Sequence, residues 1–446
     1  MVEAMANGVE DKLIDGLSFK MQPGASYVVD RRSVTYHPQG SNIYKPSAGR
    51  KLIRILLTGD NWLDPSTLRI QFNVSNDETT SKYLYVLGGP HSFFRRMRIL
   101  VAGQVVEDID QYNRIHEMMS ILVASESRAN QATEAFGLNW DSDTVTGDYN
   151  SAIKPNQSLT VLFKPLSGLL SQNKMLPIRY APITIELELV DTITDPIIDP
   201  TGSPTLGGST FTPANTSTNW SINNVQVKVD VCTLDNALDN SYAQHLLQGK
   251  SLPISYNTFV SQLQTISGQD APLVNVSRAL TRLKSVFVTL HKDTGVTWPS
   301  NRKFWNTFFS PMGTDNGTTL IHNSDGEFEY QLQIGSKLFP EYPIRSHNEA
   351  YYQLSKCLGV QASALHNFDI SAREYRFSKF VLGIDCEKVL DAGFTGINTR
   401  AGDLMSIKLK YASSGAGSVR LADRLHIILH SDQILEIRDS GCQVFD

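Results

Sequence analysis

Leu68-Arg69-Ile70-Gln71-Phe72-Asn73-Val74 places four apolar side chains on one side of an extended chain and three polar ones on the other. Alternation at period two marks a strand with one face on a core and one on water, the habit of antiparallel sheets. Moving outward, the same pattern recurs in Ile183–Leu189 and Val225–Val231, and again in Phe328–Ile334 and Met405–Tyr411. Each fully buried apolar side chain contributes roughly 1.5–3 kcal/mol, so a slip of one residue would forfeit a whole strand's gain. Denser runs at Val286–Val288, Phe380–Leu382 and Leu425–Leu429 read as further strands, some covered on both faces.

Breakers separate these runs: Gly88-Gly89-Pro90, Asp195-Pro196, Asp199-Pro200-Thr201-Gly202-Ser203-Pro204, Gly207-Gly208 and Ser413–Gly417. The longest loop, Asp195–Thr218, is bracketed by two strands and reads as an excursion from a sheet. Helical periodicity is confined to three places. Asp110–Ser125 carries a stripe of Ile115, Met118, Met119 and Leu122; Asp239–Gln248 has Tyr242, Ala243, Leu246 and Leu247 on one side and stops at Gly249. Ser346–Leu358 opens with Ser346 and Glu349 at capping-box spacing and stops at Gly359. The middle helix lies just before Pro253, near the centre of the chain, and is read as the boundary between two halves.

A faint internal repeat supports that division. Ile99–Gly103 is followed by Val105-Val106-Glu107, then by Arg114, His116 and Glu117 on a helix. Leu332–Gly335 is followed by Leu338-Phe339, then by Arg345, His347 and Glu349 on another. The expected fold is all-β, two tandem eight-stranded antiparallel jelly rolls with a few short helices. Its divisions are an N-terminal arm (1–22), a first jelly roll (23–235), a connecting helix (236–250) and a second jelly roll (251–446).

Composition agrees. The 446 residues suffice for two or three domains, and 41% hydrophobic content is too much for a disordered chain. Forty Lys and Arg against 45 Asp and Glu give a formal charge of −5, which disfavours a protein that grips phosphates. No apolar run approaches the roughly 18–20 residues needed to span a bilayer. Met1–Asp15 carries Glu3, Glu10 and Asp11 without an apolar block, so a short arm is expected and not a secretory signal. Sequons such as Asn275-Val276-Ser277 are then accidents of composition. Cys232, Cys357, Cys386 and Cys442 are far apart, with no CxxC pair. Buried thiols in a reducing compartment are expected, neither a disulfide framework nor a zinc ribbon.

Candidate chemistry fails on spacing or context. Gly249-Lys250-Ser251 resembles the end of a phosphate loop, but Gln244 stands where the first glycine belongs and a helix, not a strand, precedes it. His116-Glu117 begins like a zinc-protease helix, yet Ser120 occupies the second histidine's place, leaving a solvent-edge or capping histidine. His426 and His430 share a strand face about 13 Å apart, too far for one metal. Gly415-Ala416-Gly417 lacks a third glycine. Glu186 with Glu188, and Glu327 with Glu329, fall on polar strand faces where solubility explains them. Arg95, Arg96 and Arg98 follow Phe93-Phe94, but Met97, Ile99 and Val101 make them the outer side of a strand. No catalytic, cofactor-binding or metal-ligating residue is therefore expected, and no enzyme.

Ser92-Phe93-Phe94-Arg95-Arg96-Met97-Arg98-Ile99-Leu100, with Glu107-Asp108-Ile109, Tyr112-Asn113-Arg114 and His116-Glu117-Met118, resembles the first half of double jelly-roll major capsid proteins. The similarity is strongest to those of polinton-like viruses and virophages. Leu176–Leu187 is similar to a late strand of the same jelly roll, while the second half matches only in architecture. The resemblance implies upright jelly rolls, a homotrimer of pseudo-hexagonal outline, and capsomers tiling an icosahedral shell. Partners would be other copies, with penton and other minor capsid proteins and no strong contact to nucleic acid. The location would be the virion capsid, built inside a host cell in nucleus or cytoplasm. The Asp195–Thr218 excursion would form an outer tower, and the arm Met1–Gln22 would lie beneath the shell. The alternative is a β-sandwich carbohydrate-binding or attachment protein, for which Trp140, Trp220, Trp298 and Trp305 are available.

Overall fold

The computed structural model describes residues 27–46, 49–136, 152–198, 216–266, 269, 271–292, 303–311, 328–359, 370–389, 395–400, 404–411 and 422–446. The arm Met1–Gln22, most of the Asp195–Thr218 excursion, Trp140, Trp298, Glu327 and Gly415–Gly417 lie outside these residues.

Eight strands run through the first half: β1 (Val28–Tyr36), β2 (Leu52–Leu57), β3 (Trp62–Asn76), β4 (Phe94–Val101), β5 (Gln104–Asp110), β6 (Ser158–Phe163), β7 (Ile183–Leu189) and β8 (Trp220–Leu234). Eight more follow: β9 (Leu252–Thr265), β10 (Leu273–Val276), β11 (Leu283–His291), β12 (Phe328–Ile334), β13 (Lys337–Ile344), β14 (Leu382–Asp385), β15 (Met405–Tyr411) and β16 (Arg424–Arg438). The first set forms sheets ordered β1-β8-β3-β6 and β2-β7-β4-β5. The second forms β9-β16-β11-β14 and β10-β15-β12-β13, the same order advanced by eight. All these pairs are antiparallel. In each half the first strand pairs with the last and the second with the seventh, which is the winding of a jelly roll. Ile43–Tyr44 also pairs with β8, Gly441–Phe445 with β16, and Leu84–Tyr85 with Ala152–Ile153.

Alternation does what it predicts. Leu68, Ile70, Phe72 and Val74 of β3 are all buried, and Phe72 meets Phe94 of the opposite sheet edge-on at 5.5 Å. In the second half the Tyr330 hydroxyl of β12 donates to the Gly383 carbonyl of β14, again across the sandwich, at 3.1 Å. The five alternating segments read from the sequence all lie within strands.

The helices depart in detail. Asp110 ends β5, and Gln111 turns into the left-handed region at φ 53°. The helix expected over Asp110–Ser125 therefore starts later, as α1 (Tyr112–Ile121), and a further helix that was not expected, α2 (Ser125–Thr133), follows it. The central helix, α3 (Asn236–Leu247), starts three residues early because the Asp235 carboxylate accepts from the Ala237 amide at 3.1 Å. Its Leu247, expected on the apolar side, is exposed. α4 (His347–Cys357) is capped by Ser346, but Glu349 reaches the Arg345 amide and not that of Ser346. α5 (Ala372–Phe377) has a complete capping box from Ser371 and Glu374. The repeat read from sequence is a hairpin leading into a helix, β4–β5–α1 and then β12–β13–α4. Gly103 and Gly335 take positive φ (83° and 59°) at the two tight turns, where a side chain would be strained.

Candidate functional site

The feature that the residues build with most care is the seam between the halves. One continuous apolar cluster includes buried side chains from both. Along it, β5 of the first half faces β9 of the second. Gly168 packs so closely on the Asn257 backbone that an added Cβ would sit 1.6 Å from the Asn257 carbonyl oxygen. Just behind, the buried Glu107 carboxylate of β5 accepts from the Ser167 hydroxyl and from the Gly168 and Leu169 amides at 3.0 and 3.4 Å. Burial pushes Glu107 up to about 7, against the opposing pull of Ser167, the two amides and Thr258. The Tyr256 hydroxyl lies 3.0 Å from the Val106 carbonyl and 2.7 Å from Gln433 Oε1, with one proton to give to either. Ser261 donates to the Asp110 carbonyl at 3.0 Å, and Lys174 to the Pro253 carbonyl at 2.8 Å.

Arg114 of α1 crosses to the second half. Fully buried, its guanidinium donates to the carbonyls of Phe304 and Leu290 and to Thr289 Oγ1. It also lies over the Phe304 and Phe308 rings, 4.7 and 4.6 Å from their centroids. Beside it, the Trp305 indole N–H donates to the Asp195 carbonyl of the first half at 2.7 Å. A planar five-donor fork between two rings is a task that only arginine performs. Arg114→Ala is expected to cost roughly 3–5 kcal/mol, the range for emptying a large packed site. Arg114→Lys should recover less than half of that. Denaturant midpoints of the two variants check it; equal stability of Arg114→Lys and the parent would remove the fork from the account.

The sequence's other candidates are placed as follows. Gly249 closes α3 at φ 76°, and Lys250-Ser251 lead directly into β9. His116 is not a solvent-edge cap: its ring stacks on His91 at 4.1 Å. Glu117, beside it, is buried against His91 Nε2 at 2.9 Å and Arg128 at 2.5 Å. Burial opposes charge on Glu117, but Arg128 and then His91 outweigh it and hold the carboxyl down at about 2. His426 is fully buried on β16, and neither ring nitrogen has a hydrogen-bond partner among the described residues. His430, on the same strand, stacks on Phe259 at 4.8 Å.

Glu186 corrects the solvated-face expectation. It is buried, with Arg98 at 2.7 Å and Arg54 at 3.3 Å on its two strand neighbours. Period two assigns a face but cannot say that neighbouring arginines roof it over. Arg95 pairs with Asp191 and Arg96 with Asp108, so the basic cluster is spent within its own sheet edge. Trp220 and Trp305 are buried. All four cysteines are free. Among the described residues no group of three or more His, Cys, Asp or Glu is arranged to hold a metal ion. A cleft of about 490 Å³ opens beside His91 and His116; Arg128 and Arg69 on its wall are paired with Glu117 and Glu134. The seam itself was not legible in advance: Gly168 and Tyr256 carry no motif, and Arg114, though part of the repeat, gave no sign of partners in the other half.

No protein-family model matches the sequence, and no curated protein matches it. Solved structures do. The chain is similar to PBCV-1 VP54 as fitted into a reconstruction of the virophage Sputnik, with TM-score 0.62 and 10% identity over 96% of this chain and 100% of that one. It is similar to a chain of the Sputnik virophage structure, with TM-score 0.57 and 8% identity over 98% and 92%. It is also similar to the Faustovirus major capsid protein, with TM-score 0.57 and 10% identity over 97% and 93%. At such identities the likeness is one of fold, and it extends over both halves: the chain is a double jelly roll.

Proposed function

We propose that this chain is a structural major capsid protein, forming homotrimers of pseudo-hexagonal outline that tile an icosahedral virus shell. The observation that carries the reading is the same eight-strand winding twice in one polypeptide, joined across a dry, polar-stapled seam. Three such chains in a ring present six similar bodies, and near-sixfold tiles fill a flat lattice with one gene product. The capsid proteins among the similar structures support the same role. The halves are the domains 23–235 and 251–446, joined by the helix 236–250 and preceded by the arm 1–22. Partners are other copies, then penton and other minor capsid proteins, with no strong hold on nucleic acid and no catalysis. The location is the virion, assembled in the host cell. The carbohydrate-binding alternative loses two of its four tryptophans to the core.

Light scattering and negative-stain imaging of the purified chain test the reading. A species of three times the 49.5 kDa chain mass, with a compact triangular or hexagonal outline, is expected. A monomer at high concentration, or an elongated particle, overturns it.

A further inference from the structure

The seam within the chain covers one flank of each half and leaves the other bare. β5 of the first half is matched by β9 of the second. Because the two strand orders differ only by eight, β13 is the counterpart of β5, and β1 the counterpart of β9. Both stand at sheet edges, and among the described residues neither is packed along a strand of the other half. Exposure follows the same division. At the seam, Val106 of β5 and Ile254, Tyr256 and Thr258 of β9 are buried. On β13, by contrast, Tyr342 is 78% exposed and Leu338 is exposed as well; on β1, Val29 is 67% exposed, next to an exposed Val28. Ile43, whose short strand continues the β1 edge along β8, is over half exposed too. α1, which follows β5, reaches over the seam with Arg114; α4 follows β13 in the same way and leaves Tyr352 over half exposed. Apolar side chains gathered on open sheet edges are a liability in a monomer and the substance of an interface.

We infer that β13 and α4 of one copy pack against β1 of the next, so that the contact between copies repeats the seam inside a chain and three copies close into a ring. The occupant is a second copy because the chain itself shows, at β5 and β9, what this kind of flank fits. The contact joins unlike surfaces head to tail, and such a contact either closes a ring or runs on as a filament. Pro340 and Pro343 of β13 have no amide proton to offer, so side chains make the contact and the sheet is not extended across it. The inference rests on the proposed homotrimer and names the two surfaces that build it.

Cross-linking of full-length cysteine variants tests it. Val29→Cys and Tyr342→Cys in the same chain should give covalent trimers with a short bismaleimide, the ladder stopping at three. Each variant alone should give no product beyond the parent's, and the two single variants coexpressed should give dimers. Both side chains are exposed, so neither change threatens the fold. Tyr342→Arg should lower the trimer fraction at micromolar concentration at least tenfold while a cooperative urea transition persists. Light scattering on the same samples separates this inference from the reading beneath it. A three-chain particle without the 29–342 bridge overturns the inference and leaves the trimer standing; a parent that stays monomeric overturns both. A single variant that bridges to itself, a ladder running past three, or a trimer untouched by Tyr342→Arg also overturns the inference.

Discussion

Gly168→Ala should leave little or no soluble, folded protein. The added Cβ would sit 1.6 Å from the Asn257 carbonyl oxygen and 2.5 Å from its carbon, where real contacts do not fall below 3.0 Å. Nothing flexible is in the way, so the two backbones must part by more than an ångström. That motion pulls Ser167, Gly168 and Leu169 from the buried Glu107 carboxylate, which would then lack partners in a dry place. The expected loss exceeds about 4 kcal/mol, a large share of a typical domain's whole stability. Gly40→Ala is the control: its Cβ meets nothing within 4 Å, and only its φ of 100° resists, at about 1 kcal/mol. Because the obstacle is a backbone atom, Asn257→Gly should fail to rescue Gly168→Ala. Soluble yield and melting temperature decide the matter, and rescue by Asn257→Gly would place the conflict elsewhere.

Acid should unfold the chain steeply below about pH 6. Four histidines are held neutral by the fold. Burial pushes His116 to about 3, His291 to about 2 and His430 to about 3, and drives His426 well below its ordinary value. Neighbouring charge adds to it: His91 beside His116, Arg114 and Arg424 beside His291, Arg114 beside His426, and Lys284 beside His430, while Glu117 and then backbone hydrogen bonds at Lys164 and His116 pull the other way on His116. Unfolded, each takes a proton near pH 6.5; folded, none does until far lower. The unfolded state therefore binds more protons across that window, and stability falls as pH falls, by about 1.4 kcal/mol per group per pH unit. Glu107 works in the opposite sense. Its folded value of about 7 exceeds the unfolded one, so it gains stability as pH drops from 7 towards 4.5. Asp195, raised by burial to about 6, acts in the same sense as Glu107, so the balance is about two protons, or roughly 3 kcal/mol per pH unit between pH 6 and 4.5. Below that, Glu117 adds its own loss as protonation removes its hold on Arg128 and His91. Urea midpoints measured against pH give the slope directly. His426→Leu should lower it by one proton; a flat profile from pH 7 to 5 would refute the neutral-histidine account.

What could be read in advance, and what could not, divides along the range of the interactions. Leu68–Val74 declares its face because a strand's two sides are set by neighbours two residues away. Gly335 and Gly359 announce a turn and a helix end for equally local reasons. The hairpin-to-helix repeat was legible on the same grounds. Glu186 was misjudged because its partners, Arg54 and Arg98, come from two other strands. α2 and α5 escaped notice because nine and six residues offer too little periodicity to stand out. Arg114 meets Phe304 across 190 positions, and no spacing rule reaches that far.

The seam has a direction. The first half supplies the arginine, the carboxylate and the glycine contact, while the second supplies the aromatic pair, the tyrosine and the backbone against which that glycine rests. Two first halves could not mate this way, nor two second halves. In the proposed ring the bodies must therefore alternate, like from unlike, and its six sides come in two chemically distinct kinds. A neighbour can tell one kind from the other, so each tile carries an orientation that a truly sixfold object would lack.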